Sequence, residues 1–177
     1  AMPYLGGANV LPLRDLVVDA VSTPSGNGYW MVTGDGGIFT FGDAPYLGGA
    51  NVYGLRNQCV AMAATPSGRG YWISTADGGV FTFGDAKYFG GANNPPLSQL
   101  ITGMAAHPSG NGYWLVTADG AVFSFGASRY YGAVNRLNIN SRVVGIARTV
   151  TGNGYWLAAE NGGVFSFGDA QYHGAAG

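Results

Sequence analysis

Residues 28–44 read GYWMVTGDGGIFTFGDA, and the stretch returns as GYWISTADGGVFTFGDA at 70–86, GYWLVTADGAVFSFGAS at 112–128 and GYWLAAENGGVFSFGDA at 154–170. Each copy begins 42 residues after the last, with no insertion. Inside the first copy, Asp35-Gly36-Gly37 reads as a hairpin turn between two apolar runs. Pro24-Ser25-Gly26-Asn27-Gly28 before it and Gly42-Asp43-Ala44 after it are further turns. These breaks predict four short strands, near 16–23, 29–33, 38–41 and 45–48, then a looser connection over 49–57.

Four antiparallel strands in about 40–45 residues make a propeller blade. Alternation supports this, because Trp30 and Val32 share one strand face while Tyr29 and Met31 share the other. Both faces are apolar, as a blade packed between two neighbours requires. The first strand carries small residues, with Ala61 and Ala63, Gly103 and Ala105, then Gly145 and Ala147. Strand one is therefore expected at the crowded axis and strand four at the rim. A β-solenoid also stacks repeats, but its rungs are shorter and pair in parallel. The expected fold is all-β, a β-propeller of four 42-residue repeats forming a single domain over 1–177. Its repeats lie at about 16–57, 58–99, 100–141 and 142–177, with an N-terminal partial repeat at 1–15. MPYLGGA at one end and AQYHGAA at the other copy the same tyrosine segment, so one copy is spare. Three arrangements accommodate it: a closed four-bladed ring, a segment of a longer array, or half of a dimeric eight-bladed ring.

Composition excludes several alternatives. Glycine supplies 32 of 177 residues, more than twice the usual share of about 7%. Aromatics reach 14%, which argues against a disordered chain. The glycines keep no three-residue period, so collagen fails, and they are too frequent for long helices. Charged residues are 10% and net charge is −1, leaving no basic stripe for nucleic acid. The lone Cys59 permits no intramolecular disulfide. Its repeat equivalents Val17, Ile101 and Val143 read it as a small buried hydrophobe. No apolar run is long enough for a membrane helix, and no signal peptide is read, although a removed one stays open.

The string GYW(M/I/L)(V/S/A)…(D/N)G(G/A)(I/V)F(T/S)FG(D/A)A resembles a repeat of secreted and cell-wall proteins of actinobacteria. The resemblance covers nearly the whole chain. It implies an extracellular or cell-wall location, a neighbouring catalytic domain, and a non-catalytic role in binding or anchoring. Repeat three departs from it at Ala127-Ser128 and repeat four at Val150-Thr151. The repeat is more loosely similar to tachylectin-like propeller lectins, which bind N-acetylated sugars between blades; that likeness is one of fold.

Enzyme signatures are missing: there is no nucleophile elbow, zinc-protease motif, phosphate loop or Cys-x-x-Cys pair. A glycosidase would need two converging carboxylates, whereas the acids fall mostly in turns. Asp43, Asp85 and Asp169 read as turn locks, and Asp35, Asp77 and Asp119 as hairpin residues. One aspartate per loop is too few oxygens for calcium, and no metal or cofactor is expected. His107 and His173 occupy non-equivalent positions and read as drift on the scaffold. Trp30, Trp72, Trp114 and Trp156 are candidate sugar platforms, with packing between blades as the rival role. Tyr46, Tyr88, Tyr130 and Tyr172 head the ligand candidates, since each offers a ring to stack and a hydroxyl to bond. The expected function is attachment to a cell-wall polymer or other glycan. The alternative is a structural propeller for domain docking or self-assembly, a homodimer included.

Overall fold

The computed structural model describes residues 4–176, so Pro3 and its two predecessors, with Gly177, lie outside the description. Twelve strands form four antiparallel sheets of three, with no α-helix among the described residues. Blade 1 holds β1 (Val17–Ser22), β2 (Gly28–Thr33) and β3 (Ile38–Gly42). Blade 2 holds β4 (Cys59–Ala64), β5 (Gly70–Thr75) and β6 (Val80–Gly84). Blade 3 holds β7 (Ile101–Ala106), β8 (Gly112–Thr117) and β9 (Val122–Gly126). Blade 4 holds β10 (Val143–Arg148), β11 (Gly154–Ala159) and β12 (Val164–Gly168). Register is the same in every blade: Trp30 stands between Val21 and Thr40, and Tyr29 between Ser22 and Phe41.

The predicted fourth strand is not a strand. After Gly42, whose positive φ of 65° suits glycine, the Ala44 N–H bonds Phe41 O and turns the chain off the sheet. Residues 45–50 then run as a strap between two blades. The Trp30 indole N–H donates to Pro45 O at 2.8 Å. The Tyr71 hydroxyl of the next blade donates to Gly48 O at 2.5 Å and accepts from Leu47 N–H at 3.2 Å. Ala50 N–H returns to Gly36 O in the hairpin of its own blade. Side chains and a turn thus satisfy the groups that a ladder on β3 would have paired.

Blade contacts repeat in the same way. Trp30 and Val32 pack on Tyr71, Ile73 and Phe83 in the first interface, and the other two are built from equivalent residues. Ring centroids of the Trp–Tyr pairs are 5.7, 5.6 and 5.7 Å apart. Cys59 is fully buried in the first interface, and burial pushes its thiol up to about 12, as a structural apolar residue requires. The inner strands pack in the order β1–β4–β7–β10, which places strand one at the axis as expected. Among the described residues, no comparable packing joins blade 4 back to blade 1. The four blades therefore form an arc, and closure of a single-chain four-bladed ring is not seen.

The arc sets up a contrast among equivalent tryptophans. Trp72 is fully buried, whereas Trp156 on the last blade is only half-buried. Trp72→Ala should cost about 3–5 kcal/mol in denaturant unfolding, and Trp156→Ala clearly less. Equal losses would contradict the arc.

Candidate functional site

Two recesses bring aromatic or imidazole rings together with charged side chains. The first is a rim cleft of about 490 Å³ on blade 2. A 3-10 turn, Ala50–Tyr53, ends at Gly54 in the left-handed conformation and lays the Tyr53 ring over Phe81. The rings are 5.5 Å apart and 13° from parallel. Tyr53 remains 61% exposed, and Tyr88, at 62%, also lines the cleft. Arg56, Asn57, Asp77 and Asn93 complete it with charged and amide groups. The Thr75 hydroxyl donates to Asp77 Oδ1 at 2.6 Å and fixes that carboxylate at the hairpin.

The second recess is an axial cavity of about 720 Å³, lined by residues from all four inner strands at their C-terminal ends. His107 and Arg148 are its titratable lining groups. Burial, with Arg148 adding to it, lowers the His107 pKa, so the ring is neutral near pH 7. Its Nδ1 and the Ser109 hydroxyl are 2.8 Å apart, and the ring tilts over Trp114 at 5.7 Å.

The other three blades carry a lock at this end instead. Thr65 and Ser67 hydroxyls donate to the two oxygens of Asp85 at 2.8 and 2.5 Å. Thr23 and Ser25 bond Asp43 likewise, and Thr151 bonds Asp169. These aspartates are turn locks as expected, but they tie two turns together rather than each closing on its own backbone. In blade 3, His107 and Ala127 replace the threonine and the aspartate.

The sequence candidates separate on this framework. Trp30, Trp72 and Trp114 have no exposed surface, so they pack blades and cannot serve as sugar platforms. Trp156 keeps part of its surface and lies 6.4 Å from His173. Tyr46, Tyr88, Tyr130 and Tyr172 are 61–63% exposed, one on each strap, and only Tyr88 lines the cleft around Tyr53. Sequence reasoning missed Tyr53 and Phe81. The signal was present, because the equivalents of Tyr53 are Leu11, Pro95 and Leu137, so an aromatic stands there in one repeat alone. It also missed that His107 shares a cavity with Arg148.

Neither a family model nor a curated protein matches the chain. Among solved structures, the β-propeller domain of Cps50 (Swd1) from Myceliophteria thermophila is similar, at 9% identity and a TM-score of 0.56. The match covers 86% of this chain and 52% of that one, so the chain spans about half the length of its neighbour. The fold is a β-propeller architecture of four three-stranded blades. No helix among the described residues is long and apolar enough to cross a membrane.

The locks of blades 1 and 2 are acid-sensitive, because hydroxyl donors lower the pKa of Asp43 and Asp85. Hydroxyl donors from Ser67 and Thr65 hold Asp85 below the usual carboxylate range. Its contribution is therefore complete above the unfolded pKa of about 3.9 and is lost as pH falls through the lower folded value. Asp85→Asn removes this titration. Melting temperatures between pH 7 and 3 should fall less steeply for D85N than for the parent, and parallel curves would refute the lock.

Proposed function

We propose that the chain is a non-catalytic extracellular binding module that holds a glycan, such as a cell-wall polymer, in the rim cleft of blade 2. The observation that carries this reading is the exposed Tyr53 ring stacked on Phe81 beside Tyr88, ringed by Arg56, Asn57, Asp77 and Asn93. A sugar ring offers aliphatic C–H faces to an aromatic surface and hydroxyls to amide, guanidinium and carboxylate groups. The cleft supplies both on one side. The low charge of the chain, 10% of residues, suits a neutral polymer. The resemblance to repeats of secreted cell-wall proteins supports the location and the anchoring role. Docking of another protein is the second reading, favoured by the uncovered apolar faces at the ends of the arc.

Purified cell walls and a panel of soluble oligosaccharides test the glycan reading. The parent chain should bind at least one of them. Tyr53→Ala should weaken that binding about tenfold, the worth of a lost aromatic stack. Tyr130→Ala, on a strap outside the cleft, should leave it unchanged. Failure of the parent to bind any wall or glycan overturns the proposal.

A further inference from the structure

The two ends of the arc present the two halves of the contact that joins its blades. At the first blade, Val17 is 38% exposed and Tyr29 and Met31 are only half-buried. Their equivalents Cys59, Tyr71 and Ile73 are fully buried against the preceding blade. At the last blade, Trp156 is half-buried and Ala158 exposed, while Trp114 and Val116 in the blade before are fully buried. One end therefore lacks the Trp side of an interface and the other lacks the Tyr side.

The straps show the same mismatch. A Cβ added at Gly48, Gly90 or Gly132 would strike the Phe83, Phe125 or Phe167 ring of the following blade. One added at Gly174 in the last strap would meet nothing within 4 Å. Phe41, the equivalent ring on blade 1, is already covered by Gly6 from the N-terminal strap, whose carbonyl accepts the Tyr29 hydroxyl.

We propose that a second copy of this chain docks head to tail on these ends. The Trp156 face of one copy meets the Tyr29 face of the other and continues the interface built three times within the chain. The last strap, still held by the Trp156 indole bond to Gln171 O and the Ala176 N–H bond to Gly162 O, covers Phe41 of the second copy. The N-terminal strap is then a built-in competitor and must leave that ring. Head-to-tail docking uses both ends of each copy, so two copies that meet at both ends form a closed pair. The contact is independent of the glycan cleft.

Sedimentation of the 177-residue chain over a range of concentrations tests this. The parent should reach twice 18.2 kDa as concentration rises. Removal of residues 1–8 should lower the dimer dissociation constant about tenfold, because the competing strap is gone. Ala158→Arg and Val17→Arg place a charge on opposite ends, at side chains already exposed, and each alone should be monomeric. Mixed together they retain one intact interface and should form a weak heterodimer. A monomer at every concentration, for both the parent and the shortened chain, overturns the proposal and leaves these faces to other blades. Dimers that ignore both arginines overturn it as well. Glycan binding by the monomer is expected in either case, so the two proposals fail separately.

Discussion

A backbone segment that leaves a sheet carries N–H and C=O groups that need partners or water. In this chain the problem recurs every 42 residues, and in each of the three straps between blades it is solved by two aromatic side chains from different blades. The strap after β6 gives Lys87 O to the Trp72 indole and Gly90 O to the Tyr113 hydroxyl. That same hydroxyl accepts Phe89 N–H. Trp72 belongs to blade 2 and Tyr113 to blade 3, so these bonds form together only when the two blades meet in one register. The rings that make them also fill the apolar interface, 5.6 Å apart. Polar satisfaction and apolar burial thus demand the same geometry. Burial pushes the equivalent Tyr71 hydroxyl up to about 12, which keeps this proton donor intact across the physiological range.

Coupling of this kind makes the molecule close to one-dimensional, since each blade is held by its immediate neighbours. Blades 1 and 4 keep the apolar residues of blades 2 and 3. Tyr29 and Met31 on blade 1 and Trp156 on blade 4 are half-buried, whereas their equivalents Tyr71, Ile73 and Trp114 inside the arc are fully buried. The scaffold is the same at every blade, and exposure depends on which blade has a neighbour.

That uniformity explains what could be read in advance. Short strands, the Asp-Gly-Gly hairpins, the axial first strand and the buried Cys59 follow from spacing and side-chain alternation. The outer strand was misread because Pro45-Tyr46-Leu47 alternates like a strand, and periodicity does not reveal that Tyr71 from another repeat captures its backbone. The tryptophans were open to two readings for a related reason: alternation places Trp30 on a face, but only the neighbouring blade decides whether that face is covered. Ring closure was beyond local pattern altogether, since it depends on curvature accumulated over four blades. Tyr53 was legible only by contrast, as a departure from its three counterparts in a segment the scaffold barely constrains.

Departures from the repeat are where chemical individuality is concentrated, and blade 3 shows why they come in sets. The lock of the other blades needs a hydroxyl donor and a carboxylate acceptor. Loss of either alone would undo the tie between the two turns, since the threonine and serine hydroxyls both bond the one carboxylate. In blade 3 both are replaced, by His107 and Ala127, and the imidazole takes Ser109 as its partner. The blade keeps its turns without the lock, and its strands pair in the common register. The exchange gives the cavity one side chain that can titrate, next to Arg148 from the following blade. A fourfold scaffold acquires an asymmetric mouth in this way without disturbing the Trp–Tyr contacts that hold it. The Tyr53 cleft obeys the same rule, since it is built in a connection that no strap bond requires.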